Sequence, residues 1–300
     1  MVCAIIDIGS NTMRMSVYKV EQEQFHVLLS KKETAGLVGY ISDGVMSEEG
    51  ILEMKDVLQQ FLSSLEYVDV DFIHVFATAS LRNIKNTVQV IERIYDETGL
   101  EIELISGEEE AMLSFKGAID ASPFEKGCLF DLGGGSTEIV VFDNQQPHYI
   151  NSLDIGCLNL FKRYVEKIMP KKREVKAIKK YIEDTLSDLD LPCPPDSLLI
   201  GVGGTARSLK KLMNYCKKKD DSCKEITIQE LDEMVEFLLN EDALSRDVIL
   251  KKCPDRIHTI IPGALVIQAL AKKVGAERLY ISDYGVREGY LWKKVIKSTT

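Results

Sequence analysis

No stretch of the 300-residue chain reaches the ~20 consecutive apolar residues that a membrane helix requires. The opening MVCAIIDIGSNT has no basic leader and no A-x-A site, and Asp7 interrupts its short apolar run, so it does not read as a secretory signal. No two of the seven cysteines form a C-x-x-C pair, and their odd number and scatter point to free thiols in a reducing compartment. Only four histidines are present, His26, His74, His148 and His258, and none stands beside a cysteine pair, so a zinc site is not indicated. The expected location is cytoplasmic. With a formal net charge of −10 the surface as a whole does not invite nucleic acid. Membrane and specific nucleic-acid partners are both excluded from the expectation.

The charge is uneven, however. Nine Lys or Arg residues fall between Lys162 and Lys180, and a second basic group includes Arg207, Lys210, Lys211, Lys217, Lys218 and Lys219. Solvated helix faces explain both. A track for a long polyanion is the functional alternative, since local field matters more than net charge there.

With 45% apolar residues, the chain can bury the cores of two domains. It contains a duplication. AIIDIGSNTMRMSVY, from Ala4, aligns without a gap on CLFDLGGGSTEIVVF, from Cys128, placing Asp131 124 residues after Asp7. Each segment reads as a buried strand, a turn rich in Gly, Ser, Thr or Asn, and a second strand. In the first half a third strand follows, then a helix capped by Ser47, the strand FIHVFA, one helix from Thr78 or Ser80 to Gly99, the strand EIELIS and the helix GEEEAMLSFKGAIDA. The second half repeats this opening, inserts more helix, and continues through SLLIGVGGTARSLKKLM, PGALVIQALAKKVG, RLYIS and a helix over GVREGYLWKKVIK. The predicted class is α/β: two ribonuclease-H-like domains facing an interdomain cleft. The expected limits are 1–120 and 121–300, with a C-terminal helix at about 286–300 returning to the first domain.

A carboxylate at a strand end followed by a glycine turn suits phosphate, because glycine lets successive N–H groups point at one anion. Asp131 with Gly133, Gly134, Gly135, Ser136, Thr137 and Glu138 provides this in one half, and Asp7 with Gly9, Ser10, Asn11, Thr12 and Arg14 in the other. A third glycine turn, Gly201 to Ala206, fits G-x-G-x-x-A, but the stretch that should carry a ribose-binding acid is the charged loop KKKDDSCKE. An anion at a helix start is the remaining reading for that turn. Arg82 lies where it can reach an anion, and Glu108, Glu109 and Glu110 open a helix. Acids in a first turn favour the helix dipole, yet three exceed what capping needs, and one of them can serve as a general base.

In order, the motifs DIGSNTMRM, ATASLRN, ISGEEEA, DLGGGSTEIV, GVGGTA, IPGALV and SDYGVREGYL resemble the exopolyphosphatase/guanosine pentaphosphate phosphatase (Ppx/GppA) family of the actin-like ATPase superfamily, in its short two-domain form. The resemblance implies that Glu110 is the catalytic base and that Asp131 and Glu138 serve Mg2+ or another divalent cation, with Asp7 as a further candidate. It implies phosphate contacts at Asn11, Thr12, Arg14, Arg82, Gly133–Thr137 and at Gly203, Gly204 and Thr205. The chain ends near the close of the second domain, which implies the absence of a C-terminal helical domain and reduced processivity, and Tyr284 stands where a small residue is common. The expected activity is release of terminal phosphate from inorganic polyphosphate, and the family suggests a homodimer. Guanosine pentaphosphate hydrolysis, linked to the stringent response, is the alternative within the class. From other classes come an actin-like ATP-binding kinase and an alarmone-binding regulator.

Overall fold

Both apolar runs that precede Asp7 and Asp131 fold into central strands covered on two faces, which is why neither alternates with polar residues. The computed structural model describes residues 1–22, 24–119, 124–194, 197–240 and 243–296. Two compact units result, Met1–Glu110 with Tyr290–Thr300, and Ala111–Gly289. The expected boundary at 120/121 and residues 297–300 of the expected C-terminal helix lie outside the described residues.

In the first unit, β1 (Val2–Ile8), β2 (Met13–Glu21) and β3 (Gln24–Glu33) form an antiparallel meander. A small hairpin, β4 (Ile41–Ser42) and β5 (Val45–Met46), leads into α1 (Glu48–Leu65), where Ser47 Oγ accepts the Gly50 N–H as a cap. Next come β6 (Phe72–Ala77), the single turn α2 (Ala79–Arg82), α3 (Thr87–Thr98), β7 (Ile102–Leu104) and α4 (Gly107–Ile119), which runs on into the second unit. The sheet order is β3-β2-β1-β6-β7, with β1, β6 and β7 parallel. Met54, Leu58 and Phe61 of α1 join Ile6, Ile8, Met13 and Met15 in its core.

The single helix expected from Thr78 to Gly99 is two. Thr87 Oγ1 donates to the carbonyls of Leu81 and Ile84, and the Asn86 side chain bonds both the N–H and the carbonyl of Met46. These side-chain bonds give the backbone an alternative to the helical ladder. The break leaves Arg82 at the end of a four-residue turn.

The second unit contains β8 (Gly127–Leu132), β9 (Thr137–Asp143), β10 (Gln146–Leu153), α5 (Cys157–Tyr164), α6 (Lys172–Ser187), β11 (Leu198–Val202) and α7 (Gly203–Lys217). It continues with β12 (Glu225–Thr227), α8 (Ile228–Leu239), α9 (Ala243–Lys252), α10 (Ile260–Val274), β13 (Arg278–Ile281) and the start of α11 (Val286–Leu291), whose last two residues belong to the first unit. Its order, β10-β9-β8-β11-β13-β12, repeats the first sheet and adds one antiparallel edge strand. One face packs on Ala111, Phe115 and Ala118 of α4, the other on α6, α7, α8 and α10. The fold is a duplicated ribonuclease-H-like α/β fold.

Residues 290–296 belong to the first unit. There the Tyr290 ring stacks on Phe76 at 4.8 Å and its hydroxyl donates to Glu103 at 2.6 Å. No helix among the described residues is long and apolar enough to cross a membrane.

Candidate functional site

In both units the candidate residues collect where parallel strands end, at the carboxyl edge that ligands favour in such sheets. The two glycine turns close identically: Gly9 N–H donates to the Thr12 carbonyl at 3.2 Å, and Gly133 N–H to the Ser136 carbonyl at 3.0 Å. The register carries the repeat further. Asp7 pairs with Arg14 across β1 and β2, just as Asp131 pairs with Glu138 across β8 and β9.

Around the first turn, Asn11 is buried, its carbonyl accepts the Gly36 N–H at 2.9 Å, and the Ser10 carbonyl accepts from Val38. Ser80 Oγ donates to the Ile8 carbonyl at 2.7 Å, which pins α2 to the end of β1. Arg82 then reaches the head of α4. Its Nη1 donates to the Glu110 carboxylate at 2.9 Å and to the Ile105 carbonyl at 3.2 Å. The three glutamates at that helix start are not equivalent. Glu109 pairs with Lys293 near the surface, whereas Glu110 is only 9% exposed. Ser106 holds the helix start by accepting the Glu109 N–H.

In the second unit the loop carbonyls are all engaged. Gly133 O accepts from Cys157, Gly134 O from Leu158 and Asn159, and Gly135 O from the Asn159 side chain. Gly133 N–H is itself bonded within the turn, so an anion held by this loop would have to meet the N–H groups that follow it. Thr137 Oγ1 donates to the Ile155 carbonyl, and Glu138, 1% exposed, accepts from Ser152 Oγ at 2.8 Å.

Asp131 is 8% exposed, and burial pushes its carboxyl above the ordinary value. A hydrogen bond from Ser114 and the charges of Arg207 and Arg287 oppose that rise, while Glu288 adds to it. Its Oδ1 lies against the turn that starts α7: a Cβ on Gly203 would come within 2.7 Å of it and 2.9 Å of the Leu132 carbonyl, and Gly203 has φ +96°. Only glycine fits there. On the next turn position, the Arg256 guanidinium covers Gly204, and its Nη1 donates to Thr205 Oγ1 at 3.2 Å.

Arg207 stood out in the sequence only as part of a basic group, and Arg256 not at all. Arg256 comes from a 3₁₀ turn at Pro254–Arg256, far in sequence from Thr205, so only tertiary packing unites them. Arg287 and Glu288 stand in SDYGVREGYL, which carried the family resemblance without marking either residue, and Glu288 caps its own helix by accepting the Gly285 N–H at 2.8 Å.

Among the described residues, no three His, Cys, Asp or Glu side chains cluster as a metal site of their own. Asp131 and Glu138, neighbours on one rung, still fit a cation of the magnesium type, which commonly takes one or two carboxylates and completes its shell with water and phosphate oxygens.

A model of the Ppx/GppA phosphatase family matches residues 16–298. Exopolyphosphatase 1 of Mycobacterium bovis is 23% identical over 97% of this chain and 87% of its own length. The crystal structure of the Aquifex aeolicus member of the Ppx/GppA family superposes with a TM-score of 0.82 at 26% identity, covering 100% of this chain and 99% of that one. An exopolyphosphatase structure from Cytophaga hutchinsonii shares the fold, with a TM-score of 0.88 at 22% identity over 99% and 98%.

Proposed function

The chain belongs to the Ppx/GppA phosphatase family and is a hydrolase of phosphoanhydride bonds, and on that premise we propose that it releases the terminal phosphate of inorganic polyphosphate. The observation that carries the reading is Glu110, a buried carboxylate at a helix head whose partner at 2.9 Å is Arg82. Phosphate is the natural competitor for that guanidinium, since its oxygens match the fork as a carboxylate does. Glu110 accepts a proton from water as the water oxygen attacks phosphorus in line. The bridging P–O bond breaks, and the shortened chain leaves with the electron pair. Anion contacts are assigned to Asn11, Thr12, Arg14 and Arg82, to the loop from Gly133 to Thr137, and to Gly203, Gly204 and Thr205. A divalent cation, when bound, neutralises charge on the phosphate oxygens and on the leaving oxygen. Asp131 and Glu138 would hold it, and Asp7 is carried as a further candidate.

A cytoplasmic setting belongs to the same reading and accords with free thiols at all seven cysteines. Self-association as a homodimer is read by light scattering. The decisive assay is phosphate release from medium-chain polyphosphate, guanosine pentaphosphate and ATP, with magnesium and with chelator. The expected result is the highest kcat/KM on polyphosphate, lost on chelation. A preference for guanosine pentaphosphate or ATP contradicts the substrate assignment.

A further inference from the structure

Asp131 is held from two sides, and only one of them belongs to the phosphate-type turns. Gly203 lies against Oδ1. The hydroxyl of Ser114, from α4, donates to Oδ2. Ser114 is fully buried on a helix whose Ala111, Phe115 and Ala118 cluster with Leu129, Val140 and Val202 of the sheet. A serine within a helix ordinarily turns its hydroxyl back to the carbonyl four residues earlier. Here the hydroxyl reaches across to a strand instead. In so apolar a setting a hydroxyl without a partner is costly, so the bond to Asp131 accounts for a polar side chain at this position.

We propose that Ser114 is a positioning residue: its hydroxyl fixes the orientation of the Asp131 carboxylate and thereby the affinity of this chain for a divalent cation. The proposal rests on the assignment of Asp131 to the cation. Groups that orient a liganding carboxylate typically change metal affinity about 10–100-fold when removed. Alanine at 114 keeps the helix and the apolar packing while deleting the donor. Threonine keeps the donor.

The test is Mn2+ binding to the full chain, measured by electron paramagnetic resonance in the presence of inorganic phosphate, for wild type, S114A, S114T and D131N. Thermal unfolding of each variant is recorded alongside. The expected result is binding weakened about tenfold or more in S114A, retained within about twofold in S114T, and lost in D131N. Wild-type affinity in S114A overturns the proposal for Ser114 alone, provided D131N has lost binding. A failure of S114T to restore what S114A loses also overturns it, because the effect then follows packing rather than the hydroxyl. If D131N binds Mn2+ as the wild type does, or the wild type binds none, the assignment of Asp131 falls and the role of Ser114 with it.

Discussion

Alanine at Gly203 perturbs the site at a single atom. Its Cβ would meet Asp131 Oδ1 at 2.7 Å and the Leu132 carbonyl at 2.9 Å, and the residue would have to hold φ +96°. The backbone conformation alone costs about 1–2 kcal/mol for a residue with a Cβ. Forcing the extra methyl into a packed position adds about 1–3 kcal/mol. The Asp131 carboxylate has little freedom to yield, because Ser114 holds its other oxygen. For a unit of this size the combined cost corresponds to a fall in Tm of roughly 5–15 °C. Because Asp131 is the carboxylate proposed to hold the cation, its displacement is also expected to lower kcat about 10²-fold. Gly275 supplies the control: its φ is +69° and a Cβ there meets nothing within 4 Å. G275A is therefore expected to lose about 1 kcal/mol and to keep its turnover. Scanning fluorimetry and phosphate release on both variants separate strain from site damage. Equal kcat in G203A and G275A would refute the reasoning, since the contact with Asp131 would then have no consequence.

Three further outcomes are expected. Arg82→Gln leaves the Glu110 carboxylate without its guanidinium, so stability falls by about 1–3 kcal/mol in denaturant unfolding and KM for polyphosphate rises; an unchanged KM removes Arg82 from the phosphate contacts. Burial lowers His74, with Lys294 adding to the effect and Glu103 opposing it, and burial likewise lowers His258. The unfolded chain therefore takes up protons first, and stability is lost as pH falls below about 6.5, with a shallower slope in His74→Gln; a Tm that rises on acidification over that range contradicts this. Thr227→Ala breaks the capping box with Glu230, costing about 0.5–2 kcal/mol in thermal unfolding with no change in turnover.

The repeat was legible because it is local: an apolar strand, a glycine turn and a second strand carry their own pattern, and the same turn hydrogen bond closes both copies. The Ser47 cap and the stop at Gly99, which has φ +70°, were legible for the same reason. The break between α2 and α3 was not, because the Asn86 side chain is engaged by the Met46 backbone, 40 residues away. Helical periodicity through that stretch gives no sign of a partner so distant. The site shows the same division. Asp131 and Gly203 lie in glycine-turn motifs and Glu110 is distinguished from Glu108 and Glu109 in the sequence only by the family resemblance, whereas Arg256 reaches Thr205 only through the packing of the second unit. The basic run from Lys162 to Lys180 also has a local account, since Lys171 and Arg173 both pair with Glu166 at the surface.

The assignment of Glu110 as the base is tested most directly by single-turnover hydrolysis of polyphosphate by E110Q, beside E109Q and with substrate affinity measured for each. Glu109 meets Lys293 in an exposed pair, so E109Q is expected to turn over within a few-fold of wild type. E110Q is expected to slow the chemical step by about 10²–10⁴-fold while still binding polyphosphate. Turnover by E110Q close to wild type, or an equal loss in E109Q, would contradict the account.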